Sequence, residues 1–164
     1  MSGDITIREV TPRDVEALAA IARAAWTPVY EARRRLMGDA IFKTVHPDWA
    51  EAKAEQVRRA CVPASGTHVR VVELDGEVAG FVTFRLDVKP GVGEIGNNAV
   101  DPRFQGRGIG SRMYAHVLDE MRRMGMRYAC VSTGGDDAHI GARRAYEKAG
   151  FERPIPSVTY YRKL

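Results

Sequence analysis

Arg103-Phe104-Gln105-Gly106-Arg107-Gly108-Ile109-Gly110-Ser111 lies between a stretch patterned as a strand and a long stretch patterned as a helix. Three glycines at alternate positions permit a tight turn and leave bare backbone N–H groups open to close approach. The helix that follows starts with N–H groups lacking partners inside the helix and with partial positive charge. A phosphate satisfies both. The stretch does not end in the Gly-Lys-Ser/Thr of a P-loop. Ser111 also stands where a GxGxxG fingerprint requires glycine. The alternative is a glycine-rich connection with no ligand, which carries a cost because glycines weaken the start of a helix.

Downstream, Ile109, Met113, Val117, Met121 and Met124 recur at helical spacing, and Gly125 fits the position just past a helix end. Residues 94–100 read as a strand broken by Asp101-Pro102, and residues 127–132 as a short buried strand. Strand, helix and strand in that order predict two parallel neighbours joined by a right-handed crossover. Upstream, residues 68–74 and 78–85 flank Asp75-Gly76, a strong hairpin signal. That antiparallel pair makes the sheet mixed.

The N-terminal part begins with a strand over residues 5–10. Thr11 as N-cap, Pro12 at the first helical position and Asp14 at capping-box spacing then open a helix that Pro28 should end or kink. A short helix follows over residues 40–45, and Asp48 with Glu51 opens another that reaches Cys61. Near the C-terminus, residues 138–149 pattern as a helix closed by Gly150, and residues 158–162 as a final strand.

A length of 164 residues fits one domain, here 1–164, and no interior linker divides it. The net charge of +4 comes from short basic clusters without a basic tail. On helices such clusters pattern as solvated faces, so no nucleic-acid partner is expected. Cys61 and Cys130 have no metal-ligand spacing, so no metal is expected. No signal peptide or membrane-spanning run is apparent, which makes the cytoplasm the default location, with no membrane partner.

Gln105-Gly106-Arg107-Gly108-Ile109-Gly110 matches the Q/R-x-x-G-x-G/A signature of the GCN5-related N-acetyltransferase (GNAT) superfamily. Ala142-Arg143-Arg144-Ala145-Tyr146-Glu147-Lys148-Ala149-Gly150-Phe151 resembles that family's second landmark, A-x-x-x-Y-x-x-x-G-F. The close resemblance spans about residues 94–151. It implies an α/β (α+β) fold with a mixed, largely antiparallel central sheet, in which two splayed parallel strands are flanked by helices. It also implies acetyl-CoA (coenzyme A) as co-substrate, lying where residues 94–100 and 127–132 part.

Carried over from the family, the pantetheine arm pairs with the backbone at Ala99 and Val100 like an added strand. The diphosphate rests on N–H groups of Gln105, Gly106, Arg107, Gly108, Ile109, Gly110 and Ser111. Arg103 or Arg107 adds charge-assisted bonds, or stays in solvent. Tyr146 takes the place of the tyrosine that protonates the leaving thiolate; the alternative is plain packing. His139 stands where many members carry an asparagine that touches the cofactor arm, a departure from the pattern. Glu94 matches the general-base position of the histone-acetylating branch, and is otherwise an ordinary exposed acid. The backbone N–H of Asn98 falls in register with the thioester oxygen.

The same family places the acceptor against the first helices, the hairpin and the last strand. This nominates Trp26, Tyr30, Trp49, Phe84, Tyr160 and Tyr161, each of which also suits simple core packing. The expected activity is transfer of an acetyl group to a primary amine, small molecule or peptide, by direct attack on the thioester. A catalytically silent acyl-CoA-binding sensor is the alternative. The acceptor stays open, as does a homodimer.

Overall fold

The computed structural model describes residues 3–164. Five strands form one sheet in the spatial order of the chain. They are β1 (Ile5–Glu9), β2 (His68–Leu74), β3 (Glu77–Asp87), β4 (Val92–Val100) and β5 (Tyr128–Val131). The first four are antiparallel neighbours and β5 runs parallel to β4. The β2–β3 turn is made by Asp75 and Gly76 at φ 53° and 83°. Both φ values are positive, as a two-residue turn matching strand twist requires.

Five helices cover the sheet: α1 (Val15–Met37), α2 (Asp39–Val45), α3 (Trp49–Ala60), α4 (Ile109–Arg123) and α5 (Ile140–Lys148). Alternation along the strands gives two cores. Ile109, Met113, Val117 and Met121 of α4, with Tyr146 of α5, pack against Val72, Leu74, Val82, Phe84 and Ile95 on one face. Leu18, Ile21 and Ala22 of α1, with Val57 of α3, pack against Val69, Val71, Phe81 and Ala99 on the other. Each such side chain, fully buried, contributes about 1.5–3 kcal/mol.

Three details differ from expectation. The first helix runs through Pro28 to Met37. Its second half is held by tertiary contacts, with Ala32 buried and the Tyr30 ring stacked on Trp49 at 4.4 Å, and these outweigh the backbone bond that proline cannot make. The helix also starts later, at Val15. Thr11 donates its N–H and its hydroxyl to Asp14 Oδ2 at 2.7 and 2.8 Å, so residues 12–14 form a turn ahead of it. Finally, residues 158–162 form no strand, and Tyr160 is 89% exposed. Pro154 and Pro156 supply no N–H for a ladder, and β5, the neighbouring edge, is only four residues long. No helix of the described residues is long and apolar enough to cross a membrane.

Candidate active site

The site is built where β4 outruns β5. Pairing between them begins at Val92 and Tyr128 and stops at Ile95 and Val131, while β4 continues to Val100 against β3. Residues 96–100 therefore have an unpaired edge on the β5 side. The β3–β4 register slips by one residue between Val82 and Phe84, which marks a bulge in β4 around Gly96 and Asn97. A bulge bends the strand and re-aims its side chains. A Cβ at Gly96 would lie 2.8 Å from Thr83 Oγ1, so a larger residue there would require that hydroxyl to move.

The glycine turn follows the open edge directly. Gly106 and Gly108 both take φ of 78°, the left-handed region that favours glycine. The first bond into α4 runs from the Arg112 N–H to the Gly108 carbonyl at 3.2 Å, so the N–H groups of Ile109, Gly110 and Ser111 are the free donors of the helix start. Gln105 Nε2 donates back to the Val100 carbonyl at 3.2 Å and ties the turn to β4. Arg103 is engaged within the fold, pairing with Asp101 and Glu77 at 2.8 Å each. Arg107 is exposed, its guanidinium 5.5 Å from the centre of the Phe104 ring. These features suit a diphosphate: free amides, positive helix charge and an unbonded arginine at the rim.

Tyr146, only 7% exposed, meets β4 at Asn98. Asn98 Nδ2 donates to the Tyr146 hydroxyl oxygen at 3.1 Å. Tyr114, whose place here the sequence did not reveal, donates its hydroxyl to Asn98 Oδ1 at 2.8 Å. The contact from the Tyr146 hydroxyl to that same Oδ1 is longer, at 3.4 Å. Asn98 Oδ1 has two lone pairs and accepts from both phenols, the Tyr146 contact being the longer and weaker of the two. Burial, reinforced by Tyr146, holds the Tyr114 phenol far above its ordinary range, so Tyr114 remains a neutral donor.

Glu94 is exposed and lies within the paired part of β4, opposite Arg85 on β3 and Cys130 on β5. Burial, and then the Glu94 charge, push the Cys130 thiol up. His139 folds back onto its own loop, with Nδ1 2.9 Å from both Asp136 carboxylate oxygens. Burial alone would raise the Asp136 carboxyl, but the His139 bond and charge with the Ala138 N–H outweigh it and lower it.

On the other face of the sheet, Trp26, Tyr30 and Trp49 come together between α1 and α3, with Phe42 and His46 against Tyr30. Lys53, also unforeseen, is buried there with Nζ 4.2 Å from the Trp26 ring centre and 2.8 Å from Asn97 Oδ1. Its sequence signal was available: Trp49, Lys53 and Val57 follow at intervals of four on one helix face. Phe84 joins neither cluster; it is fully buried and stacked on His68 at 4.7 Å. Tyr160 and Tyr161 lie on the exposed C-terminal segment. Of two surface hollows of about 510 and 410 Å³, the second is lined by Asp101, Pro102 and Arg103 against α1, and neither is lined by residues 96–100, residues 105–111 or Tyr146.

A mixed sheet that opens beside a glycine turn and a helix start offers a bed for an extended ligand that carries a diphosphate. A model of the Acetyltransferase (GNAT) family matches residues 20–151, and the chain belongs to that family. Among curated relatives, the aminoglycoside N(6')-acetyltransferase type 1 of Stenotrophomonas maltophilia is 28% identical over 96% of this chain and 92% of its own length. The mycothiol acetyltransferase of Sanguibacter keddieii is 34% identical over 54% of this chain, which spans only 29% of that relative. The PaiA N-acetyltransferase of Thermoplasma acidophilum, solved in complex with coenzyme A, superposes with a TM-score of 0.69 at 17% identity, covering 88% of each chain.

Proposed function

We propose that the chain moves the acetyl group of acetyl-CoA to a primary amine beside residues 96–100, and that the acceptor is a small molecule. The observation that carries this is the early end of the β4–β5 pairing next to a helix start with free amides. The open edge at Ala99 and Val100 takes the pantetheine arm, and the amides of residues 105–111 take the diphosphate. Arg107 adds charge at the rim. The names of the full-length aminoglycoside relative and the mycothiol relative support a small-molecule acceptor.

The bound thioester supplies an activated acetyl group. The acceptor nitrogen forms a bond to its carbonyl carbon as the C–S bond breaks. The backbone N–H of Asn98 stabilises charge on the carbonyl oxygen. The departing thiolate takes the Tyr146 proton, and the hydrogen bond from Asn98 Nδ2 fixes the position of the phenol oxygen. Glu94, exposed on β4 two residues before the open edge begins, accepts the amine's proton through water.

Release of free coenzyme A thiol in the presence of an amine panel tests the proposal. Amine-dependent release by the native chain, reduced about 100-fold or more in kcat for Tyr146→Phe at little change in acetyl-CoA affinity, is expected. A domain that only binds would take up acetyl-CoA and release no thiol with any amine.

A further inference from the structure

Lys53 is the unusual charge of this molecule. It is 8% exposed, and its ammonium donates only to neutral oxygens, Asn97 Oδ1 at 2.8 Å and Gln56 Oε1 at 3.1 Å. Among the described residues no carboxylate acts on it; the charge that does is Arg33, which shares its sign. Arg33 lies over the Tyr30 ring at 5.1 Å and acts on His46 as well. The carboxylates that bridge α1 and α3, Glu16 and Glu51, are paired with Arg23 and Arg58, so Lys53 is left among aromatic rings with Arg33 as its charged neighbour. Elsewhere this fold pairs its cations: Arg70, 7% exposed, is bonded to Glu120, and the half-buried Arg8 grips both Asp14 and Glu73.

An ammonium taken out of water without a counter-charge is costly, and amide oxygens offset only part of that cost. A methionine or leucine would fill the same helix position without the penalty. Lys53 is also placed for use. Its partner Asn97 precedes Asn98, which holds Tyr146, so Lys53 and Tyr146 touch adjacent residues of the bulged strand from opposite faces of the sheet. The phosphates of the co-substrate have their own partners at the glycine turn. The missing anion must then arrive with the acceptor.

We propose that Lys53, backed by Arg33, binds a carboxylate of the acceptor, so that the chain acetylates carboxylate-bearing primary amines in preference to neutral or polycationic ones. This rests on the acetyltransferase function proposed above. Trp26, Tyr30 and Trp49 form the apolar wall beside the anion site, and the amino group reaches the acetyl carbon at the bulge.

The test is kcat/KM, corrected for the free-base fraction of each amine, for matched pairs that differ only in the carboxylate: glycine and glycinamide, β-alanine and its amide, with spermidine and kanamycin alongside. A preference of about tenfold or more for the carboxylates is expected, the scale of one charge-assisted hydrogen bond. Lys53→Met should bring the ratio within about twofold and leave acetyl-CoA affinity unchanged, while Lys53→Arg, read in parallel, retains most of it. Equal or inverted preference in the native chain, or a ratio that survives Lys53→Met, overturns the anion site and leaves the acetyltransferase function standing. Absence of thiol release with every amine contradicts the acetyltransferase function instead. The anion site is then read from thermal shifts: N-acetylglycine raises Tm of the native chain and its amide does not, or the site is wrong. If Lys53→Met does not fold, the native chain and Lys53→Arg carry the comparison.

Discussion

Tyr146 and Tyr114 share Asn98, and they hold it unequally. Tyr114 occupies Asn98 Oδ1 at 2.8 Å, and Asn98 in turn donates to the Tyr146 oxygen. Tyr114→Phe removes the shorter bond to Oδ1, and the Tyr146 hydroxyl, now 3.4 Å away, should close on that oxygen. We expect kcat to fall about five- to tenfold, the cost of diverting one hydrogen bond, with acetyl-CoA affinity unchanged in a direct titration. Glu94→Gln should slow turnover most at low pH, where free amine is scarcest and proton removal matters most; a pH profile identical to the native one removes Glu94 as base. Lys53 carries a separate signature. Burial, then Arg33, lower its ammonium to about 8. The unfolded chain holds that proton up to about 10.4. Between those values the unfolded state binds more protons, so native stability should rise with pH from about 8 to about 10 relative to Lys53→Met. Parallel denaturant titrations across that range check the sign.

At the level of elements, α1 and the glycine turn make opposite points about local sequence rules. Pro28 locally forbids a helix, yet α1 passes through it because Tyr30 and Ala32 are anchored on the far side. Pro28→Ala restores the backbone bond and should stabilise the chain by about 1–3 kcal/mol in urea unfolding. Gly108 obeys its local rule, at φ 78°, with nothing within 4 Å of the place a Cβ would take. Gly108→Val thus meets backbone strain and no clash. It should cost about 1–3 kcal/mol of stability and weaken coenzyme A binding, because the strained turn re-aims its amides. The contrast explains what the sequence made legible. The hairpin, the crossover and the turn depend on short-range constraints at Asp75-Gly76, Asp101-Pro102 and Gly106 to Gly110, so they could be read directly. The passage through Pro28 depends on a ring stacked from another helix, and the missing strand at residues 158–162 on a neighbouring edge, β5, that is only four residues long. Neither is visible from alternation alone. The same division holds at the site, where the glycine turn and Tyr146 stand in local motifs. Tyr114, Asn97 and Lys53 acquire their roles only when β4 bulges between two helical layers.

For the whole molecule, the sheet divides the chemistry into two sides. α4 and α5 bring a helix start and a phenol to one face of β4, and α1 and α3 bring aromatic rings and a buried ammonium to the other. In the proposed function acetyl donor and amine meet at residues 96–100, where β5 no longer pairs with β4. The opposite end of the sheet is fastened by Arg8 to Asp14 and Glu73. The Arg8 bonds, against some desolvation and with help from Thr11, hold the Asp14 carboxyl well below its ordinary range. Its stabilisation is therefore present above about pH 4 and lost as pH falls below that value. Asp14→Asn should remove most of this acid-side loss, seen as a flatter Tm against pH below about 4. Whether the glycine turn holds the diphosphate is decided by calorimetric titration of coenzyme A beside pantetheine, which has the arm but no diphosphate. Coenzyme A should bind the native chain at least about tenfold more tightly, a gap of one charge-assisted contact or more, and Gly108→Val should narrow it. Equal binding of the two, or a gap untouched by Gly108→Val, would contradict a diphosphate site at that turn.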